Sequence, residues 1–271
     1  MSLDAMRRAL LHRGPDGDDI WSRDGVGLVH TRLAIIDLET GDQPLFGPSK
    51  TVLVANGEIY NYVELRAELP DADFATASDC EPILQYYERY GLDFVSWLRG
   101  MYALALYDPG RSRLVVSRDP FGIKPLYYVE TETGFAFASE PTALLKAGFA
   151  RRRLLPEATA TLLQLQYTTG AETPFEGIRR VLPGETLVVE NGRVVERRRR
   201  PALPDGAPES LSENAALERI EAALLDSVDV HQRSDVPYAM FLSGGIDSTA
   251  VLALMARLNT RPVCAYTAGF P

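Results

Sequence analysis

Phe241-Leu242-Ser243-Gly244-Gly245-Ile246-Asp247-Ser248, near the C-terminal end, is the most informative stretch of the chain. The apolar run at 237–242 predicts a short buried strand, and the apolar-periodic segment 247–258 predicts a helix. Between them stands a turn stripped of side chains. Strand, glycine turn and helix start in direct succession aim backbone N–H groups and the helix dipole at one point, where an anion can sit. Ser243 and Ser248 add hydroxyl donors. Two glycines alone would signify only backbone freedom; the whole Ser-Gly-Gly-x-Asp-Ser pattern favours a phosphate. No Lys-Ser/Thr pair follows a four-residue spacer, so this is not the P-loop. Residues 263–267 predict a second strand, completing strand–helix–strand.

The chain has 271 residues, room for two domains. Hydrophobic residues at 46% and charged residues at 24% place it among ordinary globular proteins. A net charge of −9 argues against nucleic acid or an anionic membrane surface as the main partner. Cys80 and Cys264 cannot build a disulfide framework and lack metal-ligand spacing, which suits a reducing cytoplasm. No apolar run is long enough to cross a bilayer, and the first residues carry no signal-peptide core.

Upstream, residues 3–11 predict a helix with Leu3, Met6, Leu10 and Leu11 on one side and Ser2 as its cap. Residues 12–17 break the pattern and predict a loop. A strand or pair of strands is expected over 27–37, and another over 51–55, halted by Asn56-Gly57. A helix is expected over 62–69. Ser78 with Glu81 has the form of a capping box for a helix to Tyr90. Further strands are expected at 101–107, 114–118, 126–129 and 134–139, then a helix at 141–147. Residues 156–200 look less regular and end in a hairpin at Glu190-Asn191-Gly192-Arg193, where Asn-Gly suits a type I′ turn. Arg197 to Arg200 read as a solvated strand end. Residues 201–212, rich in proline, are the best linker, and 213–232 predict an amphipathic helix. Many short strands with few long helices indicate an antiparallel α+β layer structure. A single strand–helix–strand cannot bury its own core, so the sequence reads as cut at Pro271.

Six motifs stand in order along the first section: His12-Arg13-Gly14-Pro15-Asp16, Thr31-Arg32-Leu33-Ala34-Ile35-Ile36-Asp37, Asn56-Gly57-Glu58-Ile59-Tyr60-Asn61, Ser78-Asp79-Cys80-Glu81, Gly100-Met101-Tyr102-Ala103 and Arg118-Asp119-Pro120-Phe121-Gly122-Ile123-Lys124-Pro125-Leu126-Tyr127. Followed by the Ser243 loop, they make the chain resemble glutamine-hydrolysing asparagine synthetase over almost its whole length. The loop itself is similar to that of ATP pyrophosphatases. The resemblance implies a class II glutamine amidotransferase domain at 1–205, lacking its first strand, with the N-terminal-nucleophile hydrolase fold, an α+β sandwich of α/β/β/α layers. It implies the start of an α/β adenine-nucleotide α-hydrolase-like, ATP-binding domain at 206–271. Glutamine hydrolysis would supply ammonia to a carboxylate adenylated by ATP, giving an amide, AMP and pyrophosphate.

Each matching residue has a chemistry that suits its implied role. Arg32, with Leu33, Ala34, Ile35 and Ile36 beside it, would hold the glutamine α-carboxylate, which a planar guanidinium can grip by both oxygens. Asp79 would accept the α-ammonium, Asn56 and Gly57 would form the oxyanion hole as neutral donors, and Glu58 would complete the pocket. Taken singly, Arg32 equally fits a surface arginine, Asp79 a first-turn acid and Asn-Gly a turn. For ATP the implied set is Leu242, Ser243, Gly244, Gly245, Asp247, Ser248 and Ala268, with Mg²⁺ on Asp247. The partners implied are L-glutamine and L-aspartate or another carboxylate, in a protein that is commonly a dimer.

One departure matters. The family's nucleophile is an N-terminal cysteine whose own amine serves as base. This chain has none; Ser2 falls too late, and Cys80 and Cys264 read as small structural hydrophobes. The chain as written is therefore expected neither to hydrolyse glutamine nor to make asparagine. Two alternatives stay open: a nucleophile-less binding or scaffold domain, as in β-lactam synthetase-like relatives, or a ligase using free ammonia.

Overall fold

The first helix forms over Leu3–Leu10 (α1) and tightens into a 3₁₀ turn at Leu11–Arg13. His12 and Arg13, expected in a loop, therefore sit in a helical turn, and both reach the Glu140 carboxylate, at 2.9 and 3.1 Å. The computed structural model describes residues 3–269, so Ser2, read as a cap, lies outside the described residues. Gly17–Arg23 (β1) pairs antiparallel with Val26–Arg32 (β2) through Asp24-Gly25, both at positive φ. The sequence reading missed β1 because Asp18, Asp19, Ser22 and Arg23 dilute its apolar alternation. β2 ends at Arg32 instead of reaching Asp37. There the chain turns at a φ of 55°, with the Asp37 carboxylate accepting the N–H and hydroxyl of Thr40.

Leu45–Phe46 (β3) leads to Val52–Ile59 (β4). Asn56-Gly57 does not halt β4, contrary to expectation. Both residues stay in register with Gly100–Asp108 (β5), Asn56 opposite Ala103 and Gly57 opposite Tyr102. The strands approach so closely that a Cβ at position 57 would fall on the Met101 carbonyl oxygen. Glycine is there for space, not for a turn.

Tyr62–Ala67 (α2) and Pro82–Tyr90 (α3) are helical as predicted. The Ser78–Glu81 box does not form. Ser78 Oγ accepts the Cys80 N–H at 3.2 Å, while Glu81 reaches back to the N–H groups of Ala75 and Thr76 at 2.7 and 2.9 Å. Next come Arg113–Arg118 (β6), Tyr127–Thr131 (β7), Gly134–Ala138 (β8) and Pro141–Lys146 (α4). The section from 156 is more regular than expected: Pro156–Leu165 (α5), Arg179–Arg180 (β9), Glu185–Glu190 (β10) and Arg193–Arg199 (β11). Asn191 and Gly192, at φ of 50° and 71°, make the expected β10–β11 turn. The arginines at its end are exposed.

β11, β10, β6, β5, β4 and β3 form, in that order, a six-stranded antiparallel sheet. One face carries Leu53, Leu104, Leu106 and Val115 against Leu65 of α2 and Ile83, Leu84 and Tyr87 of α3. The other carries Val54, Ala105, Val116 and Leu187 against Leu28 of β2 and Tyr128 of β7. This second β layer is divided into β1–β2 and β8–β7–β9. Behind it Val129, Ala136 and Ala138 pack on Met6, Ala9 and Leu10 of α1 and Leu144 of α4. Strand alternation thus gives two buried faces per layer, and the order α/β/β/α matches the expected sandwich.

The chain divides into two compact units, one up to Pro204 and one from Asp205. In the second, Glu213–His231 (α6) starts on Ser212, whose hydroxyl accepts the Ala215 N–H at 3.3 Å. Met240–Phe241 (β12), Ile246–Leu258 (α7) and Ala265–Tyr266 (β13) follow, with β12 and β13 parallel. The buried strand expected at 237–242 is corrected: it is two residues long and Phe241 is 85% exposed. Its one strand neighbour contributes only Ala265 and Tyr266, too little surface to bury it. Cys264, expected in a buried strand, is exposed.

The turn after β6 is held from inside. The fully buried Asp119 carboxylate accepts the N–H groups of Tyr102, Phe121, Ile123 and Lys124 at 2.9–3.3 Å. Arg118 donates to the carbonyls of Gly122, Lys124 and Val181. Asp119→Ala strands those amides in a dry interior and should lower stability by about 3 kcal/mol. Asp119→Asn, keeping one acceptor, should lose less. Urea unfolding measures both, and a loss under about 1 kcal/mol for the alanine variant would show that the turn holds itself.

Candidate functional site

The site grows from one edge of β4. β3 pairs with β4 only through Leu45–Leu53 and Phe46–Val52, so past Val54 that edge loses its strand neighbour. In an antiparallel ladder, N–H groups point to alternate sides along a strand. Tyr102, opposite Gly57, directs its own N–H to Asp119 Oδ2 and accepts the Asp119 N–H at 2.8 Å. The Gly57–Tyr102 pair is therefore not hydrogen-bonded, and the N–H groups of Ala55, Gly57 and Ile59 all point out of the open edge.

Side chains close that edge on either side of Gly57. The Ala55 N–H donates to Gln43 Oε1 at 2.6 Å, and the Ile59 N–H donates to Asp79 Oδ2 at 2.7 Å. Between these caps the Gly57 N–H opens on a cavity of about 1140 Å³ between the two β layers. Asn56 lines the same cavity, and its buried Nδ2 has no hydrogen-bond partner among the described residues. A buried donor left unpaired costs about 1–3 kcal/mol, a cost that an acceptor entering the cavity would relieve.

Arg32, Leu33, Ile35, Ile36, Glu58 and Asp79 line the cavity with these donors. Ala34 does not; its N–H is held by Asp16 Oδ2 at 2.9 Å. Arg32 is 9% exposed. Its Nη1 pairs with Asp42 at 2.8 Å and its Nη2 donates to the carbonyls of Ile36 and Asp37. The guanidinium thus closes its own loop at the cavity wall. A Cβ at Gly41 would come within 2.5 Å of Nη2, so glycine is needed where the loop crosses it. Burial, and after it the Glu58 carboxylate, push the Asp79 pKa up to about 6.

Two residues of this wall were not singled out from sequence. His30 on β2 meets the Ala55 carbonyl through Nε2 at 3.2 Å, and burial lowers its pKa to about 4, so the ring is neutral. Because a carbonyl only accepts, Nε2 carries the hydrogen. Gln43 touches the same residue. No periodicity announces either; a lone polar residue within a strand and one before a proline are the only traces. Cys80 also borders the cavity, but it is fully buried and its thiol is pushed well above the ordinary range, mainly by burial and then by Asp79. It is no nucleophile.

In the second unit, Gly244 has a φ of 80° and open space where a Cβ would stand, and Gly245 caps the thirteen-residue α7. Ser243 Oγ lies 3.0 Å from Ser248 Oγ and accepts the Gly245 N–H at 3.3 Å. Leu242 is tied to β13 through the Tyr266 carbonyl at 2.8 Å, while Asp247 stands exposed in the first helical turn. Ala268 lies just past β13 and is exposed. A bare loop, two hydroxyls and a helix start fit a polyphosphate, and Asp247 in the first helical turn would be the residue to hold Mg²⁺. No group of three or more His, Cys, Asp or Glu is placed to hold a metal among the described residues. No helix among them is long and apolar enough to cross a membrane.

Layer order and a donor-lined cavity between the sheets define the class: an N-terminal-nucleophile hydrolase-type sandwich. It matches the Bacillus subtilis glutamine phosphoribosylpyrophosphate amidotransferase, solved with ADP and GMP, at a TM-score of 0.55 and 18% identity. The match covers 97% of this chain and 62% of that one, and shows the fold alone. Residues 1–199 match the family profile of the glutamine amidotransferase domain, and residues 219–271 that of asparagine synthase. The chain belongs to the glutamine amidotransferase family. It is 40% identical to a putative glutamine-hydrolysing asparagine synthetase of Mycobacterium tuberculosis, over 96% of this chain and 42% of that protein. It is 37% identical to glutamine-hydrolysing asparagine synthetase 1 of Bacillus subtilis, over 92% and 40%. Amidase chry2 of Gibberella zeae is also 37% identical, over 92% and 38%. The chain thus spans about two-fifths of the length of these relatives.

The raised Asp79 pKa has a consequence for stability. The folded chain holds this proton more tightly than the unfolded one, whose carboxyl titrates near 3.8. The resulting stabilisation is full below pH 3.8 and is lost as pH rises through about 6, a change of about 3 kcal/mol. Asp79→Asn, which keeps an acceptor for Ile59, should match the parent near pH 4 and exceed it by about 2–3 kcal/mol at pH 7.5. Parallel urea titrations at the two pH values check this, and equal differences at both would refute it.

Proposed function

We propose that the cavity binds L-glutamine and that the protein is a glutamine-dependent amide ligase of the asparagine synthetase type. Ammonia released from glutamine would be delivered to a carboxylate that the second unit activates with ATP and Mg²⁺, giving amide, AMP and pyrophosphate. On this reading residues 1–205 are the amidotransferase domain and 206–271 the start of the ATP-binding domain. The observation that carries it is the unpaired Asn56 Nδ2 beside the outward Gly57 N–H: two neutral donors converging where an amide oxygen, and later an oxyanion, would lie. Asp79, capping the next outward position after Gly57, would take the α-ammonium, and Arg32 the α-carboxylate. Aspartate is the default acceptor, after the names of the synthetase relatives. The amidase-named relative keeps another carboxylate in play. We place the protein in the cytoplasm, as a homodimer.

Asn56 and Gly57 would stabilise a reaction that Cys80 is too buried and too weakly acidic to begin. Residues 3–269 therefore bind glutamine without cleaving it. Calorimetry on the 271-residue chain should show glutamine binding that weakens about tenfold per pH unit below about 6, as Asp79 gains its proton. An ammonia assay should stay silent; release above background would contradict this reading.

Asn56→Leu removes an unpaired donor, so it should stabilise the ligand-free chain by about 1 kcal/mol and weaken glutamine binding about tenfold. Unchanged binding would take Asn56 out of the site.

A further inference from the structure

Ala55 precedes the two donors, and its own backbone is bonded to a side chain. Gln43 Oε1 accepts the Ala55 N–H at 2.6 Å, and Gln43 Nε2 donates to the Ala55 carbonyl at 3.1 Å. The two bonds close a ring like the one exchanged by paired residues in an antiparallel sheet. The register explains it. Leu45 pairs with Leu53, so Gln43 falls opposite Ala55, where β3 would have continued. Its side-chain amide stands in for the missing strand.

The bond partners have unequal tolerance. Ala55 N–H can be capped by any acceptor, but its carbonyl belongs to the peptide unit whose nitrogen is that of Asn56. Gln43 Nε2 and His30 Nε2 both donate to that oxygen. They fix the plane of the Ala55–Asn56 peptide, and with it the direction in which the Asn56 side chain and the Gly57 N–H leave the strand. A misplacement of about 1 Å in such donors is enough to lose their effect.

We propose that Gln43 is a positioning residue: it acts as a one-residue surrogate strand that aims the Asn56 and Gly57 donors at the side-chain amide of the substrate. This rests on the glutamine reading above. Gln43 need not touch the ligand, and capture of the α-ammonium and α-carboxylate by Asp79 and Arg32 does not pass through it. Its removal should therefore cost recognition of the side-chain amide and leave recognition of the α-groups intact.

The test compares L-glutamine with L-norvaline, which keeps the α-groups and lacks the amide, by calorimetry on the whole chain. The parent should prefer glutamine. Gln43→Leu should cut that preference about tenfold while norvaline affinity stays within about twofold, which also shows that the variant is folded. Gln43→Glu supplies a second readout on one folded sample. An ionised carboxylate accepts the Ala55 N–H but cannot donate to its carbonyl, whereas the protonated acid does both. Its glutamine preference should be low at pH 8 and climb to the parent value as the introduced carboxyl protonates. The groups facing this position are His30 and Arg32 on β2, Asp42 beside it, and Glu58 and Asp79 across the cavity. Their titration is common to parent and variant and drops out of the ratio between them. A full preference in Gln43→Leu, or in Gln43→Glu at pH 8, overturns the role of Gln43 alone. A parent with no preference for glutamine over norvaline overturns the glutamine reading and this inference with it.

Discussion

The open edge of β4 is the constraint on which the candidate site depends. A paired strand would have consumed every outward N–H; an unpaired one would expose a row of them to any chain that came near. Here the row is interrupted by design of sequence. Gln43 closes the position before Gly57 and Asp79 the position after it. What is left is a single backbone donor flanked by one side-chain donor, Asn56, in a cavity with acid and base groups at its rim. An antiparallel sheet thereby becomes a binding surface without giving up its ladder on the other side, where β5 remains fully paired.

Asp119 and Arg118 extend the same logic to the far side of β5. Because Tyr102 directs both its backbone groups to Asp119, it leaves Gly57 unbonded across the strand pair. The buried carboxylate thus supports the turn that follows β6 and, two strands away, frees the donor on β4. Structural and functional roles of the Arg118–Tyr127 motif are not separable here. In the second unit the construction is different: the Ser243–Ser248 loop relies on glycine conformations and a helix start, with hydroxyls bonded to one another across the mouth.

Much of this was legible in the order of residues. Local patterns fixed α6, α7, the Asn191-Gly192 turn and the main strands, since each depends on neighbours in sequence. The residues that line the cavity were singled out only as a set, through family resemblance. Failures occurred where distant contacts override local preference. Asn56-Gly57 has the form of a turn, but Gly100–Tyr102 pulls it straight into a sheet. Ser78 and Glu81 have the form of a capping box, but Arg66 and the backbone of Ala75 and Thr76 claim the glutamate. Gln43 could not be found at all, because a side chain that imitates a strand leaves no pattern in sequence.

The two Asn-Gly pairs also differ in how they will age. Asparagine before glycine is prone to deamidate when the following nitrogen can swing onto the side-chain carbonyl. At Asn191, in an exposed hairpin turn, the chain bends toward that geometry. At Asn56 the extended strand holds the Gly57 nitrogen away from it. Old preparations should therefore accumulate added negative charge at the β10–β11 turn long before the cavity wall changes. The sheet that orders the Asn56 and Gly57 donors also preserves their covalent chemistry.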